Sequence, residues 1–142
     1  KRNEFAQLAV DENAGSFLST PYLEPTANNL LALMPQAIVN AMLRPFVWEG
    51  GKLFQLAFAI ENTVFLLIVT GLLFFFKRPT GTRLQLCICF LLFALANYLV
   101  IGITVPVMGA IVHYRVIATP FLLLAVLLAV DLERLKRLVT GR

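Results

Sequence analysis

The stretch LFQLAFAIENTVFLLIVTGLLFFF, Leu53 to Phe76, decides how this chain is read. It is 24 residues long, and a helix needs about 20 to cross the hydrocarbon core of a bilayer. Gln55, Glu61, Asn62 and Thr63 place its polar groups in the first half. Its end, Phe74, Phe75 and Phe76 followed by Lys77, Arg78 and Pro79, reads as an aromatic belt, basic anchors and a helix stop. Two more apolar runs follow. Leu84 to Val105 is interrupted in its interior by Asn97 and Gly102 and closed by Pro106, and Gly109 to Val130 carries His113, Tyr114 and Arg115 one or two turns inside its start. The fold class expected is all-α: an integral membrane protein with three transmembrane helices, at 53–76, 84–105 and 109–130.

Composition agrees. The 142 residues are 59% hydrophobic and 14% charged, with a mean hydropathy of +0.82, which excludes a water-soluble globule. The charges cluster in the first dozen residues, around Lys77 to Arg83, and after Asp131. A net charge of +4 does not point to nucleic acid, because the basic residues flank apolar runs instead of forming a face with aromatics between them. Cys87 and Cys89, two apart on a helix, point roughly 200° apart, so they read as packed reduced thiols. Neither a metal site nor a cofactor is expected. The first residue is Lys1, without an initiator Met or a secretory pattern. On that ground the chain reads as a fragment or processed piece, with further spans upstream or in partner subunits.

Residues 1–26 read as an extracytoplasmic loop. Thr26 is an acceptable N-cap for a helix over 27–52, on which Asn29, Gln36, Asn40 and Arg44 fall on one stripe. Pro35 and Pro45 would bend or end it, so an interfacial or re-entrant amphipathic helix is expected rather than a straight span. Orientation follows from basic residues near the span ends: Lys77, Arg78, Arg83, Arg134, Lys136, Arg137 and Arg142 on one side, Arg44, Lys52 and Arg115 on the other. The excess places loop 77–83 and the tail 131–142 in the cytoplasm.

Two constellations carry chemistry. Glu61 lies deep in the first span, where a charge costs about 2.5–3.5 kcal/mol to insert. Counting in from Lys52 and from Val105 places Glu61 and Asn97 at a common depth of roughly 12–14 Å. A carboxyl–amide clamp between the spans and a catalytic or substrate-contacting Glu61 are both open. The second constellation is His113, Tyr114 and Arg115, joined by Arg44 and Trp48 at the headgroup level. Arginine suits phosphate because its planar fork donates two parallel hydrogen bonds, and histidine exchanges a proton near neutrality. The competing reading is a snorkelling Arg115 among belt aromatics Tyr114, Trp48 and Phe46. Pro120 frees the carbonyl of Val116 and should open the helix there.

The run His113-Tyr114-Arg115-Val116-Ile117-Ala118-Thr119-Pro120, followed by Phe121 to Leu124, resembles the aromatic-Arg, Pro, Leu-rich segment closing the last large span of bacterial envelope-glycan membrane proteins. These are the C-type glycosyltransferases that use polyprenyl-phosphate sugars and the O-antigen polymerase or ligase group. In the commoner form an Arg stands where His113 does. The run Arg44 to Glu49 before a span holding Glu61 and Asn62 is similar to the region preceding those last spans. The resemblance covers Pro35 to Val130 and implies a bacterial inner-membrane glycosyltransferase or polymerase of polysaccharide biosynthesis in the cell envelope, acting on a polyprenyl-phosphate-linked sugar at the periplasmic face. Arg115, with Arg44, Tyr114, Trp48 and Asn97, would bind substrate, and His113 or Glu61 would act as base. The early acidic loop that C-type transferases use is missing from this chain. A non-enzymatic anchor or scaffold subunit of a transporter, secretion or motility complex is the other reading.

Overall fold

The computed structural model describes residues 3, 4, 7, 8, 18, 24, 26–49 and 53–140. Most of the expected loop 1–26, and Lys52 and Arg142 from the orientation argument, lie outside the described residues. From residue 26 on, the described residues form helices α1 Ala27–Leu43, α2 Leu53–Leu73, α3 Thr82–Thr104, α4 Met108–Arg115, α5 Ala118–Leu128 and α6 Leu132–Thr140, with a 3-10 turn at Val47–Glu49 after α1. Among the described residues there is no strand, only an isolated antiparallel bridge between Phe76 and Val130. Residues Gln55–Leu73 and Thr82–Thr104 are long and apolar enough to cross a membrane, and α4 with α5 makes a third such length if the bent pair is one broken span. Their outer surfaces suit lipid: Leu67 is 66% and Leu92 61% exposed.

Antiparallel α3 and α5 form the centre, with α1 on the other side of α3. Small residues permit this. Gly102 of α3 sits so close to α1 that a Cβ there would lie 2.8 Å from the Ala37 Cα and closer still to its carbonyl. Ala41, Ala94 and Ala118 are fully buried beside Tyr98 and Ile111, a small-residue interface of the kind that lets backbones approach in lipid. The Phe121 ring packs on Phe93 and Phe90, 4.5 and 5.8 Å between centroids. Helix α2 packs against α5 mainly near its C-terminal end, where Val69 meets Val126 and Val130.

Several boundaries depart from expectation. Thr26 does cap α1, its hydroxyl accepting from the Asn29 N–H at 3.4 Å, and Pro35 lies within the helix. The helix stops at Leu43 instead of continuing over the expected 27–52, because Pro45 forces the preceding Arg44 into extended backbone. Asn40, expected on a polar stripe, is buried against the bundle. The first apolar run leaves its helix at Leu73, so Phe74 to Phe76 peel off to reach Val130. The second begins at Thr82, just after Gly81 turns the chain with φ +58°. The third breaks at Val116–Ile117 with a bend of 52°. This is one turn before Pro120, whose ring excludes the Val116 carbonyl from the helical ladder. The connection before it is tucked in, with Pro106 fully buried and its carbonyl accepting from the Leu18 N–H at 2.9 Å.

Candidate functional site

Arg115 ends α4 at the break, and its side chain turns inward. It is only 7% exposed. Nη1 donates to the Arg44 carbonyl at 3.0 Å and to Asn62 Oδ1 at 2.8 Å. The amide orientation of Asn62 is chemically determined, because a guanidinium has no acceptor to offer. Its Nδ2 is then free to donate to the Leu43 carbonyl. One asparagine thus ties α2, the end of α1 and α4 around a single buried cation. Stacking arithmetic explains the meeting: Arg115 lies seven residues from Met108, Tyr98 six from Thr104 and Asn62 nine from Leu53, so all three sit roughly 9–14 Å in from the same end of the bundle.

The break in the third apolar run is itself sealed by side chains. The Thr119 hydroxyl donates back to the Arg115 carbonyl at 2.9 Å. With its one proton spent there, Thr119 accepts from the Tyr98 hydroxyl at 3.1 Å. At the far end of α5, the Ala129 N–H turns to the Val126 carbonyl, and the Cys87 thiol covers the Ala125 carbonyl at 3.3 Å. Cys87 is half-buried and Cys89 exposed, both free.

A cavity of about 420 Å³ lies in front of Arg115, within the range of small-ligand sites. Glu61, Phe58 and Phe65 of α2 form one wall, while Val112 and His113 of α4 with Val116, Thr119 and Pro120 at the break form the other; Tyr98, Met42 and Asn62 close the interior. Among the described residues Arg115 finds hydrogen-bond partners through Nη1 alone, which leaves the donors of Nη2 and Nε unspent there. Glu61 is within electrostatic reach of the guanidinium but makes no ion pair with it. Among the described residues no cluster of His, Cys, Asp and Glu is suited to a metal.

Of the residues singled out in the sequence, the cavity therefore gathers Arg115, Glu61 and His113. The snorkelling reading of Arg115 is corrected: its guanidinium is bound inward by Asn62 and Arg44. Arg44 contributes its carbonyl, while its side chain pairs with Glu49 at 3.2 Å and Glu49 also accepts from the Phe46 N–H. Trp48 is 80% exposed and stacks on Phe46 at 4.7 Å, outside the cavity. Tyr114 is exposed, edge-on to His113. Of the two readings open for Glu61, the carboxyl–amide clamp with Asn97 is not formed. Asn97 donates to Phe93 within its own helix at 2.8 Å, because Tyr98 faces the interior and the neighbouring position is turned about 100° from it. Sequence reasoning passed over Asn62, Tyr98 and Thr119 as site residues. Spacing carried a usable signal, since Asn62 shares a helical face with Phe58, Phe65 and Val69, and Tyr98 shares one with Ala94, Ile101 and Gly102.

No family model, curated protein or solved structure matches the chain.

Proposed function

We infer that this chain is a membrane protein of cell-envelope glycan assembly whose cavity takes the phosphate of a polyprenyl-linked sugar at the periplasmic face. The observation that carries the reading is Arg115, a buried cation that lines the cavity and bonds to the described residues through Nη1 alone. A charge set that deep in an apolar bundle is costly, and the two bonds on Nη1 aim the fork without consuming it. The resemblance of the segment His113 to Leu124 supplies the substrate class.

In a transfer from such a carrier, the acceptor hydroxyl loses its proton to a base, its oxygen bonds to the anomeric carbon, and the sugar–phosphate bond breaks with its electron pair leaving on the phosphate. Arg115 neutralises that developing charge through parallel hydrogen bonds. Glu61 and His113 both line the cavity as candidate bases. The positive-inside excess orients the cavity end of the bundle outward, with loop 77–83 and α6 in the cytoplasm.

The test compares Arg115→Lys and Glu61→Gln with wild type at equal folded amount, reading carrier-lipid binding and sugar transfer. Lysine keeps the charge but loses the fork, so binding should fall by tenfold or more. Glu61→Gln disturbs no hydrogen bond among the described residues and should leave binding intact whatever its effect on transfer. Unchanged binding by Arg115→Lys would remove the arginine from the site and favour the scaffold reading.

A further inference from the structure

The bundle end opposite the cavity has its own construction. Lys77 N–H donates to the Ala129 carbonyl at 2.8 Å and Asp131 N–H to the Phe75 carbonyl at 2.9 Å, around the Phe76–Val130 bridge. Lys77 Nζ lies 3.4 Å from Asp131 Oδ2. Asp131 Oδ1 accepts from the N–H groups of Glu133 and Arg134, both at 3.2 Å, and so caps α6. This clamp fixes the start of α6 against the end of α2.

Helix α6 is amphipathic. Leu132 and Leu135 lie on one side at helical spacing, and Glu133, Arg134, Lys136 and Arg137 occupy the other. Leu132 is exposed, as are Phe74 and Phe76 at the clamp, so an apolar edge continues the outer surface of α2. The stretches 77–83 and 131–137 together hold six basic residues against two acidic ones. Both acids are engaged inside the patch, Asp131 with Lys77 and Glu133 with Lys136. Arg78, Arg83, Arg134 and Arg137 stay exposed, and Arg134 lies over the Phe75 ring, 5.8 Å from its centroid.

We propose that α6 and loop 77–83 form a binding surface for anionic phospholipid headgroups, with α6 lying in the bilayer interface. The apolar edge selects a lipid surface over a soluble acidic partner, because it is continuous with the apolar face of α2 and carries arginines directly beside it. The inference rests on the bilayer placement in the proposed function and not on the cavity's substrate.

The test uses the full chain in micelles containing equal phosphatidylglycerol and phosphatidylcholine, with retained lipid read by mass spectrometry of the intact complex. Wild type should retain phosphatidylglycerol preferentially, and less so as ionic strength rises. Combined Arg78→Gln, Arg134→Gln and Arg137→Gln should weaken retention on the order of a hundredfold, about fivefold for each charge. Lysine at the same three positions should restore it. Equal retention of the two lipids by wild type, an unaltered glutamine variant, or a lysine variant as weak as the glutamine one would overturn the proposal. Carrier binding at Arg115, measured on the same glutamine variant, should be unchanged, which separates failure of this surface from failure of the cavity.

Discussion

Asn62→Leu keeps the branching and heavy-atom count of the side chain and removes both hydrogen bonds that α2 makes to the buried cation and to the end of α1. The bond from Arg115 is charge-assisted and contributes about 1.5–3 kcal/mol, and the neutral one to the Leu43 carbonyl about 0.5–1.5 kcal/mol. Hydrogen bonds measured inside membranes average nearer 0.6 kcal/mol, so the lower bound for the pair is about 1 kcal/mol. Leucine recovers some apolar burial, while Arg115 retains the Arg44 carbonyl. A loss of about 2–3 kcal/mol is expected. Reversible denaturant titration in micelles, followed by circular dichroism, measures it. A double-mutant cycle with Arg115→Met should give a coupling of at least about 1 kcal/mol, since each single change removes the same bond. The parallel cycle at Glu61 and Asn97 should be additive within about 0.5 kcal/mol. A loss below about 0.5 kcal/mol for Asn62→Leu, or coupling at Glu61–Asn97 instead, would refute the argument that this asparagine holds the site together.

Gly102→Ala should destabilise the bundle by about 1–3 kcal/mol, because the added methyl meets backbone of Ala37 that has no rotamer through which to move away; the same titration reads it, and an unchanged midpoint would mean that α1 does not approach α3 this closely. The Asp131 carboxyl is held below its usual 3.8, first by the Arg134 N–H and also by the Lys77 charge. Its folded value is the lower one, so its stabilisation of α6 is complete above about pH 4 and is lost as pH falls below that value. Protection at the first turn of α6, read as the exchange rate relative to that of unstructured peptide at the same pH, should therefore fall below pH 4 in wild type and show no such transition in Asp131→Asn.

Much of the fold was legible because helix and lipid impose strong periodicities. Runs of 22 to 24 apolar residues have few other uses, Pro120 forecast the break at Val116, and Thr26 forecast the start of α1. The site was legible only by type. A sequence shows that an arginine, a glutamate and a histidine stand in or beside the apolar runs, but not which way each is turned. Asn97 and Tyr98 are adjacent, equally deep and both polar, yet only Tyr98 reaches Thr119, because the approach of Gly102 to Ala37 sets the rotation of α3.

Composition and spacing by themselves determined a helical chain with two lengths fit to cross a membrane and a third broken by a proline, since backbone hydrogen bonding in an apolar solvent leaves few alternatives. Tertiary structure decided what Arg115 does. Snorkelling to headgroups and turning inward are both open to a long flexible cation near a helix end. The choice depends on two carbonyl-type oxygens, from Asn62 and Arg44, arriving from elements 53 and 71 residues away. No local pattern encodes that meeting, because it follows from how α1 and α2 pack around the bend and not from the residues beside Arg115.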